Sequence, residues 1–135
     1  MSRCSRNSTG GALPLAALLA TAGTLHFVKP EFFDLIVPDW MPGEKRTTTL
    51  VSGAVEIGVA ALIAWPRTRH LGGQLAALTF AAVFPANIQA ALDGGMTQVK
   101  PPFNSPAAAW ARLPLQVPLI AWARNVATTA RPTSN

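Results

Sequence analysis

The sequence predicts an all-α protein, specifically a four-helix transmembrane bundle with a short interfacial helix between helices 1 and 2. Half of the 135 residues are apolar and only 13% are charged, whereas an ordinary soluble domain has about 25% charged residues. The apolar residues form four runs that are long enough to cross a bilayer, since about 20 helical residues span the roughly 30 Å hydrocarbon core. These runs cover residues 11–28, 48–66, 71–92 and 106–123.

The length of the chain predicts one domain, residues 11–124, between polar tails at 1–10 and 125–135. The first run has a second interpretation, because Arg3 and Arg6 precede it and Ala20-Thr-Ala22 resembles a signal-peptide cleavage site. A retained signal anchor is the preferred interpretation. A processed secreted protein and a soluble helical bundle are the alternatives.

The segment 26–42 follows the first run and is too short and too charged to cross a bilayer. Pro30 suits the first turn of a helix, and Pro38 is expected to end it because proline has no N–H to donate. Between them the apolar side chains share one helical face, while charged residues lie on the other, so we expect a helix at the membrane surface. The apolar face comprises Phe32, Phe33, Ile36, Val37 and Trp40, and the charged face Lys29, Glu31 and Asp34.

The second, third and fourth runs contain scattered small residues, as is typical of closely packed membrane helices. Basic residues flank the runs: Arg3 and Arg6 precede the first, Arg67 and Arg69 lie between the second and third, and Arg124 and Arg131 follow the fourth. The positive-inside rule then predicts a multi-pass cell-membrane protein with both termini in the cytoplasm. Segment 26–42 and the loop at 93–105 would face outwards.

The charge pattern and the cysteine content exclude several function classes. The net charge is +5, but the basic residues form no patch, so membrane lipid rather than nucleic acid is the expected partner. Cys4 is the only cysteine, which excludes an internal disulfide or a CxxC redox pair. No catalytic triad or phosphate-binding glycine loop occurs.

Polar side chains recur towards the outer ends of the four runs: His26, Glu56, Asn87, Arg112 and Gln116. Glu56 and Arg112 are the only formal charges inside the runs, at similar predicted depth, and buried charges in membranes usually pair. We therefore expect an ion pair or a shared polar cavity, with these five residues as candidate ligand-binding residues. A brace that only fixes helix packing is the alternative. His26 and Glu56 alone do not indicate a metal site.

Blocks of residues along the chain resemble the DoxX-like family of small integral membrane proteins over roughly residues 13–124. The blocks are His26-Phe27, Pro30, Phe33, Ile36-Val37-Pro38, Trp40 and Pro42; Ser52-Gly53, Glu56 and Gly58; Pro66-Arg67-Thr68-Arg69; Phe84-Pro85-Ala86-Asn87-Ile88; and Arg112-Leu113-Pro114-Leu115-Gln116 with Trp122. The resemblance implies a four-helix membrane bundle that is associated with a partner oxidoreductase.

A quinone is one ligand that this resemblance makes possible. Arg112 and Asn87 could then donate hydrogen bonds to a quinone carbonyl, and Glu56 or His26 could relay protons. A non-catalytic membrane scaffold or a small-molecule transporter is the alternative function, and the sequence does not decide whether the protein is an enzyme.

Overall fold

The structure, a computed structural model, describes residues 11–94 and 106–130. These residues form α-helices and no strand, so the all-α class is confirmed. Arg3, Cys4, Arg6, Lys100 and Arg131 lie outside the described residues. The helices are α1 (Ala12–Val28), α2 (Pro30–Asp34), α3 (Lys45–Ala64), α4 (Arg69–Leu92) and α5 (Pro106–Thr129).

The four long helices coincide with the four apolar runs, but two of them extend into polar sequence. Helix α3 begins at Lys45 rather than at residue 48, and α5 continues to Thr129. The first part of the predicted C-terminal tail is therefore helical. Charged and polar residues are good or acceptable helix formers, so the end of an apolar run marks a change of environment and not the end of a helix.

The short helix α2 lies between the first and second long helices, as predicted, but it is shorter than the pattern of segment 26–42 suggested. It ends at Asp34, and the chain continues in tighter turns in which Ile36 N–H donates to the Phe33 carbonyl and Val37 N–H to the Asp34 carbonyl. Pro38 has no N–H that could reach back to Asp34. The missing donor explains why the α-helical pattern gives way before Pro38.

Two helix pairs make up the fold. Helix α1 packs mainly on α3, α5 packs mainly on α4, and the pairs meet where α3 contacts α4. Glycines allow close approach in each contact: a Cβ built on Gly23 would lie 2.7 Å from the Gly53 carbonyl oxygen, and one built on Gly73 would lie 2.6 Å from the Ala127 nitrogen. Small residues at helix contacts are typical of membrane bundles.

The turn between α3 and α4 is closed by side chains that bind the last carbonyl groups of α3. The Thr68 hydroxyl donates to the Leu62 carbonyl at 2.7 Å, and Arg69 Nε donates to the Ile63 carbonyl at 2.8 Å. A Cβ on Gly72 would lie 2.7 Å from the Ile63 nitrogen, so the helices are in close contact here. His70 Nδ1 also lies 2.8 Å from the Ala127 carbonyl, which joins α4 to α5 at the same end.

The outer surface of the helices is apolar. Among the described residues, α3 and α4 are long and apolar enough to cross a membrane. Only 28% of the residues in the apolar part of each helix are buried in the protein. Helix α1 is apolar but has 17 residues, and α5 does not pass the same test. Four membrane spans are thus not shown, although two helices could span. Large apolar side chains that are at least half exposed include Leu13, Val28, Val51, Trp65, Leu78, Leu92, Leu115 and Val117.

Candidate functional site

A pocket of about 510 Å³ lies between α1, α3 and α4, at the end of the bundle away from the α3–α4 turn. The segment that contains α2 forms one wall. Most of the lining is apolar, with a small number of polar groups, which is the usual composition of a small-molecule site. The polar lining residues are His26, Thr48, Thr49, Ser52, Glu56, Thr79 and Asn87.

His26 and Glu56 meet at the contact between α1 and α3. His26 Nδ1 lies 3.3 Å from Glu56 Oε2, and both side chains are mostly buried. The same nitrogen lies 2.7 Å from the Ala22 carbonyl oxygen. Because a carbonyl oxygen only accepts, Nδ1 carries the hydrogen and directs it to Ala22. The imidazole ring also stacks on Phe33 of α2, with ring centroids 3.7 Å apart.

Glycines explain why these two polar side chains come so close. Gly23 precedes His26 by about one helical turn, and Gly53 precedes Glu56 in the same way. The two glycines are in backbone contact, and a Cβ on Gly53 would lie 2.6 Å from the His26 Cβ atom. The glycine contact therefore carries His26 and Glu56 to the same face of the α1–α3 interface.

Glu56 receives no hydrogen bond from any residue in the described part of the chain. Its Oε2 atom is enclosed and has no hydrogen-bond partner, although His26 Nδ1 is within ion-pair distance. A buried acceptor that stays unsatisfied costs about 1–3 kcal/mol. Glu56 also belongs to the lining of the pocket.

Asn87 brings a second polar group to the pocket from α4. Its residue is 8% exposed, and it lines the pocket two residues after Pro85, which lies inside the helix. A proline inside a helix leaves a carbonyl one turn earlier without its usual donor. Asn87 can both donate and accept, so it supplies a hydrogen-bonding group to the pocket that Glu56 also lines.

Arg112 and Gln116 of α5 are not in the lining of this pocket. The predicted Glu56–Arg112 ion pair is not formed, because His26 is the only basic residue within 4 Å of Glu56 in the described chain. Gln116 is buried, and its Oε1 atom has no hydrogen-bond partner among the described residues. These two residues belong to α5, which packs mainly on α4, whereas Glu56 belongs to α3 and lies at its contact with α1. The binding of a ligand by Arg112 and Gln116 stays a prediction.

The position of α2 is fixed by a polar cluster that the sequence patterns did not reveal. The Thr49 hydroxyl donates to Asp34 Oδ1 at 2.6 Å, and Arg46 Nε donates to Asp34 Oδ2 at 2.9 Å. Burial acts to raise the pKa of Asp34, but these two hydrogen bonds and the charges of Arg46 and Lys45 outweigh it and hold the pKa below its ordinary value. The cluster fastens the wall of the pocket to the first turns of α3.

The composition of the pocket suits the binding of a small molecule. The described residues contain no group of three or more His, Cys, Asp or Glu side chains that could hold a metal ion. The pocket offers a mainly apolar surface together with the carboxyl group of Glu56, the imidazole of His26 and the amide of Asn87. Such a site can hold a molecule that is mainly apolar and carries one polar head group.

Comparison with known proteins gives one match. A family profile described as a domain of unknown function, DUF8561, matches residues 15–127. No curated protein and no solved structure matches this chain.

Proposed function

Since the chain belongs to the DUF8561 family, for which no function is described, we propose a function from the geometry of the pocket. The protein is an integral membrane protein that binds a small lipophilic molecule, such as a quinone, between α1, α3 and α4. The observation that carries this proposal is the apolar pocket of about 510 Å³ lined by Glu56, whose buried Oε2 atom has no hydrogen-bond partner among the described residues.

The exposed apolar surface supports a membrane location. In a soluble protein the core helices bury most of their apolar residues, and contiguous apolar surface on the outside is rare. Here most residues in the apolar parts of α3 and α4 are not buried in the protein, and the side chains of Val51, Leu78 and Leu92 are more than half exposed. With α1 and α5 crossing beside them, the protein would have four spans with both termini in the cytoplasm.

The resemblance to DoxX-like proteins supports an association with a membrane oxidoreductase. The DUF8561 match gives no link to that family, so this association depends on the sequence blocks alone. Nine of the residues in those blocks line the pocket, among them His26, Glu56 and Asn87. A non-catalytic scaffold or transporter, in which the polar groups only brace the helices, is the alternative that the binding experiment separates.

The proposal is tested by ligand-induced stabilisation of the purified protein in detergent. A ligand at 100 times its dissociation constant stabilises the folded state by about 2.7 kcal/mol, which a thermal unfolding scan detects. The probe is decylubiquinone, in its oxidised and its reduced form. We expect at least one form to raise the melting temperature of the natural protein.

The test variant is Asn87→Leu, which removes a pocket amide and keeps a similar side-chain volume. Gln74→Leu is its matched control, because Gln74 lies on the same helix, is exposed and does not line the pocket. Stabilisation should fall in Asn87→Leu and persist in Gln74→Leu. Equal stabilisation of both variants would place the ligand elsewhere, and no stabilisation of the natural protein would favour the scaffold or transporter.

A further inference from the structure

All six acidic residues of the chain lie away from one end of the bundle. We call it the turn end, and it comprises residues 65–70, which join α3 to α4, and residues 124–129 of α5. One acidic residue, Glu56, lines the pocket, and the other five lie at the opposite end of the bundle: Glu31, Asp34, Asp39, Glu44 and Asp93. A basic side chain at the turn end therefore has no acidic side chain to pair with.

Three arginines lie at the turn end. Arg67 lies in the turn itself, and Arg69 begins α4. Helix α5 reaches the same end, because His70 Nδ1 lies 2.8 Å from the Ala127 carbonyl oxygen, and Arg124 precedes Ala127 by about one helical turn. Arg67 and Arg124 are exposed, and neither forms an ion pair with a described residue.

Basic side chains at the opposite end have acidic partners. Lys45 Nζ lies 2.6 Å from Asp39 Oδ1, and Arg46 Nε lies 2.9 Å from Asp34 Oδ2. The positive charge of these two residues is thus compensated locally, whereas that of the turn-end arginines is not. The fold therefore separates charge along the bundle and leaves uncompensated positive charge at the turn end.

The turn end is also the border of the exposed apolar surface. Trp65, at the end of α3, is 62% exposed, and Leu71, in the first turn of α4, is 48% exposed. Both helices could span a membrane, and tryptophan is enriched where a membrane meets water. Arg67 follows Trp65 by two residues and so lies at the level of lipid head groups. Arg124 can reach the same level, since long basic side chains extend towards the membrane surface.

We propose that the turn end binds the head groups of anionic phospholipids through Arg67 and Arg124. This inference goes beyond the pocket and rests only on the membrane location in the proposed function. A guanidinium group matches the geometry of phosphate and can bind it through two hydrogen bonds. The head group of phosphatidylcholine carries its own ammonium group, whereas that of phosphatidylglycerol leaves its negative charge for the arginines.

The surroundings of the two arginines favour lipid over an acidic protein segment. Their neighbours Trp65 and Leu71 are exposed apolar side chains of helices that could span a membrane, and lipid tails cover such a surface. The predicted orientation also places the turn end in the cytoplasmic leaflet, whose surface is negatively charged and attracts basic residues.

The preference is tested in bilayers by quenching of tryptophan fluorescence with phospholipids brominated on their acyl chains. Two chains are compared, each keeping one tryptophan: Trp65 reports the turn end, and Trp40, which is equally exposed (60%), reports the opposite end. Both carry Trp110→Phe and Trp122→Phe, so they differ only at residues 40 and 65. The measured quantity is the ratio of the binding constants of phosphatidylglycerol and phosphatidylcholine. One basic residue near a membrane surface strengthens the binding of anionic lipid about fivefold. The ratio should therefore be at least about fivefold at Trp65 and close to one at Trp40.

Arg67→Gln combined with Arg124→Gln should bring the ratio at Trp65 close to one. Lys29→Gln combined with Lys45→Gln is the matched control, because it removes two exposed positive charges from the opposite end, and it should leave the ratio at Trp65 unchanged. The ratio should also fall when NaCl is raised from about 0.1 M to about 1 M, which shortens the Debye length from about 10 Å to about 3 Å.

Equal quenching of Trp65 by the two lipids would overturn the proposal and leave an acidic protein segment as the partner of the turn end. A preference that survives in the double arginine variant would overturn the assignment to Arg67 and Arg124. A preference that disappears in excess inorganic phosphate, at constant ionic strength, would assign the arginines to a free anion instead of a lipid. Absence of quenching by either lipid in both chains would overturn the membrane location itself, so the two failures are distinguishable.

Discussion

Gly23 of α1 and Gly53 of α3 touch through their backbones, and this contact places His26 beside Glu56. A Cβ on Gly53 would lie 2.6 Å from the His26 Cβ atom and 2.9 Å from the Gly23 carbonyl oxygen. Neither atom is the flexible end of a side chain, so the helices would have to separate.

Gly53→Ala should therefore destabilise the protein by about 1–3 kcal/mol, the usual cost of overpacking a well-packed contact. The measurement is thermal unfolding in detergent. Gly58→Ala is the matched control on the same helix, because a Cβ there meets no atom within 4 Å and alanine is the better helix former. If the two variants are equally stable, the glycine contact does not hold α1 on α3.

Asp34 should make the stability of the protein depend on acid pH. Its pKa in the folded protein is below the ordinary value of 3.8 because of Thr49 and Arg46, despite the opposing effect of burial. A lowered pKa stabilises the folded state above the ordinary pKa, and this contribution is lost as pH falls through the folded pKa. We expect the melting temperature of the natural protein to exceed that of Asp34→Asn at pH 7 and the difference to shrink as the pH falls below 3.8.

The control for this prediction is Asp39→Asn. Asp39 lies in the same segment and pairs with Lys45 at 2.6 Å, but its side chain is 93% exposed, and exposed ion pairs contribute little to stability. Asp39→Asn should leave the melting temperature nearly unchanged. A pH-independent difference between Asp34→Asn and the natural protein would mean that the charge of Asp34 is not what fastens α2.

Arg69 should stabilise the turn between α3 and α4. Its guanidinium donates to the carbonyl groups of Ile63 and Ala64, which are among the last of α3. Arg69→Ala should lower the free energy of unfolding by about 1.5–3 kcal/mol, the range for charged hydrogen bonds. Arg67→Ala removes a neighbouring exposed arginine and should have little effect in the same unfolding measurement.

The orientation in the membrane can be measured by labelling with a membrane-impermeant maleimide in intact cells. The natural chain has one cysteine, so Cys4→Ser gives a clean background. Glu44→Cys, before α3, should be labelled from outside, whereas Pro66→Cys, in the α3–α4 turn, should be labelled only after the cells are permeabilised. The reverse pattern would invert the orientation, and labelling at both positions in intact cells would exclude a span at α3.

The sequence predicted the long helices well because apolar runs are a property of consecutive residues. The rotation of each helix, which decides the neighbour that a side chain faces, was harder to predict. Glu56 and Arg112 were placed at similar depth from the ends of their runs, yet depth along a helix does not determine which neighbour a side chain faces. Arg112 lies on α5, which packs on α4, and Glu56 lies at the contact of α3 with α1. The expected ion pair therefore joins Glu56 of α3 to Arg112 of α5, and these two helices are not main neighbours in the fold.

The sequence does contain a pattern that indicates the observed partner of Glu56. Gly23 precedes His26 by the same spacing as Gly53 precedes Glu56, and small residues mark the places where helices approach closely. Matching the two glycines would have brought His26 to Glu56. The cluster of Asp34, Arg46 and Thr49 had no comparable signal, because it joins two elements through a loop whose path local sequence does not determine.

The contact between α3 and α4 differs between the two ends of these helices. Thr68, Arg69 and Gly72 hold α3 against α4 at their turn, whereas the pocket separates the same helices at the other end. A wider ligand would be accommodated by a small increase in the angle between the α1–α3 pair and the α4–α5 pair, with each pair moving as a unit. We therefore expect the affinity of the pocket to decline gradually across a series of progressively wider ligands and to show no abrupt size limit.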